Sequence, residues 1–185
     1  DCTPPRDRDR LVSEITPTVL LDEARIQARV AKLAAEISAD YADCDDLIMV
    51  GVLKGAFIFL SDLSRRLTIP RSVDFMAVSS YSGSVSGNVR MLMDIRRNIE
   101  GKHVLLVEDI ADTGRTLLYL SELLSTRQPA SIRTCSLVRK LDRMEHDLHI
   151  DYLGFDIPDV WVVGYGLDYD EQFRALPYIG EIEPQ

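Results

Sequence analysis

Apolar residues along the chain change their spacing in a way that predicts alternating helices and strands. From Asp22 they recur as Ile26, Val30, Leu33 and Ile37, three or four apart, the period of a helix burying one face. Asp22 and Glu23 stand where a helix start favours acidic side chains. A polar connection, Asp40 to Asp46, leads into LIMVGVL (47–53), an unbroken apolar run that predicts a strand buried on both faces. Lys54-Gly55 interrupts it. Phe57, Leu60, Leu63 and Leu67 then predict a second helical face, closed by Pro70.

SVDFMAVS (72–79) predicts a further strand, followed by a loop rich in serine and glycine and by VRMLMDI as its returning strand. HVLLVEDI (103–110) is a second buried strand, and Leu117, Leu120, Leu123 and Leu124 mark the helix after it. SIRTCSLV (131–138), DYLGFDI and VWVVGYG add later strands, whereas residues 1–20 show no regular pattern and are expected to be an irregular arm. Met76, Met91 and Met93 sit within strands and are expected to pack the core. Strand and helix alternating around apolar runs predict an α/β protein with a parallel sheet. There is no internal repeat, so the 185 residues are expected to form a single domain.

Composition narrows the function. No apolar run reaches the length that spans a bilayer, and the polar opening DCTPPRDRDR carries no signal-peptide core, so a cytoplasmic protein without membrane contact is expected. Three cysteines without a CxxC pair argue against a disulfide framework and a cysteine-bound zinc. His146 and His149 lack a nearby third ligand and read as a solvated surface. The net charge of −9 offers no basic stripe for nucleic acid. An acidic chain handling an anionic substrate must do so with local donors or a metal ion.

VLLVEDIADTGRTL (104–117) supplies such donors. An apolar strand ends in Glu108 and Asp109; Asp112 follows, then Thr113-Gly114-Arg115-Thr116 and a helix. Beyond the carboxyl end of a parallel strand, a loop entering a helix presents unpaired backbone N–H groups and the positive dipole end to an anion. Gly114 permits close backbone approach, and the threonine hydroxyls add donors. The adjacent carboxylates suit ribose hydroxyls and Mg²⁺, a hard cation that takes oxygen ligands. Neither the nucleotide P-loop pattern nor G-x-G-x-x-G occurs.

V-E-D-I-A-D-T-G-R-T resembles the phosphoribosyl pyrophosphate (PRPP) signature of type I phosphoribosyltransferases, and from about Leu47 to Tyr178 the chain resembles the hypoxanthine-guanine branch of that family. The resemblance implies a mostly parallel central sheet flanked by helices, with a small hood formed from the N-terminal arm and about residues 140–185. It implies that Glu108 and Asp109 serve the ribose hydroxyls, that Asp112 to Thr116 hold the 5-phosphate, and that Asp112 is the general base. Arg115 stands where the family commonly has lysine. Lys54, Gly55 and Arg174 would hold pyrophosphate, with Leu53-Lys54 a cis peptide. Ser80 and Tyr81 would belong to a lid. Lys140, Trp161, Val162 and Asp168 would form the purine pocket, and Glu108, Asp109 and Asp168 would ligate Mg²⁺. Implied partners are PRPP, hypoxanthine and guanine, in a homodimer or homotetramer. Three alternatives stand at this stage: xanthine as a further base, a related transferase for adenine, orotate or uracil, and an RNA-binding regulator on the same fold.

Overall fold

The computed structural model describes residues 15–80, 89–145 and 148–184. Helix α1 (Glu23–Asp40) begins where expected: the Asp22 carboxylate accepts the Arg25 N–H at 2.8 Å and satisfies one free donor of the first turn. Its buried face is Ile26, Val30, Leu33, Ala34 and Ile37. Strand β2 (Leu47–Leu53) follows, then α2 (Phe57–Arg66), β3 (Arg71–Ser80), β4 (Val89–Met93), β5 (His103–Ala111), α3 (Arg115–Ser125), β6 (Ser131–Lys140) and β7 (Tyr152–Ile157). These strands form one six-stranded sheet in the order β4-β3-β2-β5-β6-β7, parallel throughout except for the β3–β4 pair.

Alternation along the strands divides the core into two layers. Leu47 and Met49 of β2, with Leu105 and Val107 of β5, pack under α1 and α2 against Ile26, Leu33, Phe59 and Leu63. Ile48, Val50, Val104 and Leu106 point to the other face, where Leu117, Leu120 and Leu124 of α3 cover them. Both faces are buried, which is why β2 and β5 read as unbroken apolar runs.

A second sheet lies outside this sandwich. Strands β1 (Thr18–Leu21), β8 (Trp161–Val163) and β9 (Ile179–Ile182) pair antiparallel in the order β1-β9-β8, with Thr18 opposite Glu181 and Trp161 opposite Ile182. It joins the two ends of the chain. β7 belongs to the central sheet, so this small sheet takes its C-terminal strands from residues 161–182. Tyr165, just after β8, donates to Asp62 Oδ2 of α2 at 2.6 Å, and Gln27 of α1 donates to the same oxygen at 3.0 Å. That bond network fixes the chain after β8 against both helices.

Three expectations require correction. Residues 18–21 are a strand rather than part of an irregular arm; its pairing partner lies at the far end of the sequence, so no local periodicity reports it. On α2 the buried aromatic is Phe59, while Phe57 in the first turn is exposed. Met76 is fully buried and Met91 packs against the second layer, but Met93 at the end of an edge strand is exposed. Tyr81 and His146 lie outside the described residues.

Candidate active site

The chain leaves β2 toward β3 on one side and leaves β5, its other neighbour, toward β6 on the opposite side. In open α/β sheets such a reversal leaves a crevice at the carboxyl ends of the two strands, because the following loops diverge. Here the loops are Lys54-Gly55 after β2 and Asp109 to Asp112 at the end of β5. The cleft they open measures about 320 Å³ and is lined by Lys54, Gly55, Asp109, Ile110, Asp112 and Lys140, with Arg143, Trp161, Val162, Leu167, Asp168 and Arg174. That volume suits a small ligand. Residues from five separate stretches of sequence thus converge, and all were expected there except Ile110, Arg143 and Leu167.

Gly55 and Asp109 meet at the floor. A Cβ added to Gly55 would lie 1.8 Å from Asp109 Oδ2 and 2.4 Å from its Cγ, so only glycine allows this approach. The Leu53-Lys54 peptide is cis, as the resemblance implies. Burial pushes the Asp109 carboxyl up to about 6; its own and the Ile110 backbone N–H groups and Arg174 oppose that shift, and Asp168 adds to it. Burial also raises Glu108 well above the ordinary range, with Asp109 adding to the effect. Glu108 is not among the residues lining the cleft. Strict alternation along β5 breaks at this point: Ile110 packs with the layer of Leu105 and Val107, Ala111 with that of Val104 and Leu106, and Asp109 and Ile110 both line the cleft. Asp109 and Asp168 share the cleft, whereas among the described residues no group of three acids, histidines or cysteines is gathered tightly enough to hold a metal unaided.

The loop after β5 leads directly into α3. Gly114 stands at the N-cap of α3 with φ +81°, a left-handed conformation that other residues adopt at a cost, and no side chain caps this helix end. Its first N–H groups are therefore left for a ligand or solvent, apart from a long 3.5 Å bond from Arg115 N to Thr113 Oγ1. Arg115 itself turns away to Glu145, at 2.5 Å. The Glu145 N–H donates to the Thr113 carbonyl at 3.2 Å, so residues after β6 brace the loop from outside.

At the opposite wall Lys140 ends β6, 6% exposed, with Nζ 3.3 Å from Asp159 Oδ1 and 3.9 Å from Asp112 Oδ1. Arg139 lies outside the cleft lining and pairs with Asp156 at 2.7 Å. Arg143 Nε lies 3.1 Å from Asp112 Oδ1, and its NH1 3.5 Å from Asp159. A buried ammonium needs such partners, since an unpaired one would be too costly to keep charged. Trp161 is half exposed over the cleft and meets Tyr169 edge to face, with ring centroids 5.9 Å apart. Val162 beside it is buried. Arg174 binds Asp168 at 2.8 Å and donates to the Gly166 carbonyl at 2.8 Å. Tyr81 lies outside the described residues, and Ser80 ends β3.

Sequence reasoning missed Arg143, Asp159 and Glu171. A spacing signal existed for Arg143: it closes the single 3₁₀ turn Leu141–Arg143, three residues after Lys140, where i and i+3 align. No local pattern marks Asp159, whose partners Lys140 and Arg143 lie in another segment; Glu171 pairs with Arg174 three residues on, but its other partner, Lys54, comes from a distant one.

A family model for the phosphoribosyl transferase domain matches residues 18–170. The chain is 49% identical over 175 residues to the hypoxanthine-guanine phosphoribosyltransferase of Mycobacterium tuberculosis (strain CDC 1551 / Oshkosh), covering 91% of this chain and 87% of that protein. It is 46% identical over 172 residues to the enzyme of the same name from Dictyostelium discoideum, covering 90% and 96%. Among solved structures it is similar to the hypoxanthine phosphoribosyltransferase of Trypanosoma cruzi in complex with the product IMP, at a TM-score of 0.86 and 40% identity, over 97% of this chain and 98% of that one. With an uncapped helix start beyond β5, an acid-lined cleft at the sheet reversal and these likenesses, the chain belongs to the phosphoribosyl transferase domain family.

Proposed function

We propose that the protein is a purine-salvage transferase that moves the 5-phosphoribosyl group of PRPP to N9 of hypoxanthine or guanine, giving IMP or GMP and pyrophosphate. The observation that carries this reading is the convergence of Lys140, Trp161 and Val162 on the cleft that also holds Asp109, Asp112 and the Lys54-Gly55 loop. A base site and a sugar-phosphate site then adjoin, as group transfer between them demands.

In this reading the start of α3, from Thr113 to Thr116, takes the 5-phosphate through backbone N–H groups and hydroxyls. Lys54, Gly55 and Arg174 face the pyrophosphate. Trp161 covers one face of the purine, and the Val162 backbone meets its edge. Lys140 donates to the 6-oxo group; adenine would present an amino donor to the same ammonium and be rejected. The bond from C1 of the ribose to the pyrophosphate oxygen breaks as N9 bonds to C1, and Asp112 accepts the proton leaving N7. Asp112 must first give up Arg143, its 3.1 Å partner. Ser80 and Tyr81 belong to the lid that keeps water from the activated ribose.

A magnesium ion fits the donor set. Asp109 is a carboxylate whose charge is disfavoured by burial and by Asp168, and a divalent cation held by these residues would relieve both effects. Asp109 and Asp168 would hold it together with oxygens of PRPP, while Glu108 would serve through the ribose end of the site. The ion would supply charge neutralisation on the departing pyrophosphate.

The small sheet β1-β9-β8 and the loops around it constitute the hood over the cleft. No described helix is long and apolar enough to cross a membrane, in keeping with a cytoplasmic enzyme. The charge of −9 favours small anionic substrates bound by local donors over nucleic acid. Assembly is proposed as a homodimer or homotetramer, which sedimentation would resolve. Calorimetric titration with PRPP and Mg²⁺ tests the site directly: saturable binding that is lost in a Gly114→Val variant is expected, and no heat of binding in the unaltered protein would overturn the reading.

A further inference from the structure

Lys54 and Arg174, the two cations assigned to pyrophosphate above, already share an anion of the protein's own. Glu171 Oε2 lies 2.7 Å from Lys54 Nζ, and its Oε1 lies 3.3 Å from Arg174 NH2. The two carboxylate oxygens thus span the loop after β2 and the segment after β8, bridging the same pair of groups that two phosphoryl oxygens would bridge. Arg174 is only partly engaged, for its Nε has no hydrogen-bond partner among the described residues. Its NH1 is committed to the Gly166 carbonyl, and its NH2 is shared between Glu171 and Asp168.

The backbone under Glu171 is held firmly, while its side chain is not. Asp170, Glu171 and Phe173 all have left-handed φ values, of 50°, 64° and 69°, which wind the chain into a tight turn. The Glu171 N–H donates to Asp168 Oδ2 at 2.9 Å, and Tyr169 and Gln172 exchange backbone bonds across the turn. The Glu171 side chain is nevertheless 63% exposed, so it can swing away from a fixed Cα without disturbing the fold.

We propose that Glu171 is a positioning residue that competes with pyrophosphate for Lys54 and Arg174, weakening the hold on the leaving group and speeding its exit. This rests on the pyrophosphate role given to Lys54 and Arg174. A carboxylate fixed beside a polyanion repels it, and the two ion pairs must loosen before both cations can turn to phosphate oxygens. The effect is selective: the polar partners of Glu171 are Lys54, Arg174 and Asp168, and among the described residues no hydrogen bond or ion pair joins it to Lys140, Trp161 or Val162 of the purine wall.

Glu171→Gln keeps the side-chain shape and the backbone N–H bond to Asp168 but removes the charge. Calorimetric titration of the full chain with magnesium pyrophosphate should show affinity raised roughly three- to tenfold, the worth of solvent-exposed ion pairs of this kind. In steady state the KM for PRPP should fall by a similar factor, and inhibition by pyrophosphate should strengthen, with the KM for hypoxanthine unchanged. A merely structural role would move both KM values or neither. Lys54→Ala provides the second arm. It should weaken pyrophosphate binding, and in its background Glu171→Gln should lose most of its effect, because neighbours in one network are not additive. If Lys54→Ala weakens binding but Glu171→Gln leaves it unchanged or weaker, the competition is refuted and the pyrophosphate site stands. If Lys54→Ala leaves pyrophosphate affinity untouched, the assignment of that site falls, and this inference with it.

Discussion

Replacing Gly55 with alanine would put a methyl group into space already filled by Asp109. The new Cβ would sit 1.8 Å from Oδ2, where ordinary contact begins at 3.4 Å, so the carboxylate would have to retreat by about 1.6 Å or the loop after β2 by as much. Neither is free to move. Asp109 is buried and takes bonds from its own and the Ile110 backbone N–H groups. Overpacking of this kind costs about 1–3 kcal/mol of stability. For a domain of this size that lowers the melting temperature by roughly 2–12 °C, at about 2–4 °C per kcal/mol. Activity should suffer more, since a misplacement of about 1 Å at a reacting centre costs on the order of 10²-fold. Thermal melts beside kcat/KM for IMP formation would separate the two. A folded variant with activity within threefold of the parent would refute the reasoning, for it would show that the close approach of Asp109 to the loop carries no function.

Asp112→Asn should lower turnover by roughly 10²–10⁴-fold, the usual worth of a positioned proton acceptor, with PRPP binding retained; near-normal turnover would remove Asp112 from that role. Lys140→Ala should impair the use of 6-oxopurines far more than PRPP binding in calorimetry, and an equal loss of both would make the lysine structural. Asp62→Asn should reduce stability by about 1–3 kcal/mol at neutral pH, by weakening the bonds from Tyr165, Gln27 and Arg65. Burial alone would raise the Asp62 carboxyl, but those bonds hold it below its ordinary 3.8. Its contribution is therefore complete above 3.8 and disappears as pH falls through the lower folded value. Acid unfolding of the parent should steepen there and that of the variant should not; parallel acid limbs would contradict this.

How far the fold could be read in advance follows from how local each signal is. β2 and β5 announce themselves because both faces are buried, and α1 because its cap and its apolar period agree. The candidate phosphate loop was legible because its strand, acids, glycine and helix start occupy one continuous stretch. β1 and β9 were not, for two four-residue strands at opposite ends of the chain carry no periodicity that local reading detects. Phe57 and Phe59 are both compatible with a helical face, and only packing against β2 chooses between them. The divergence of Glu108 from Asp109 was not legible, because the alternation that β5 keeps up to Val107 slips before Ile110. Asp159, and the reach of Glu171 to Lys54, became visible only when folding brought those cations to them. The roles that depend on distance, rather than on order along the chain, are those that required the structure.

Formation of nucleoside monophosphate from PRPP and each of hypoxanthine, guanine, adenine and uracil, with and without Mg²⁺, tests the central claim most directly. The account predicts IMP and GMP in the presence of the metal, little or no product from adenine or uracil, and loss of turnover when Mg²⁺ is chelated. Product from adenine or uracil at comparable rates, or none from hypoxanthine under any condition, would contradict it.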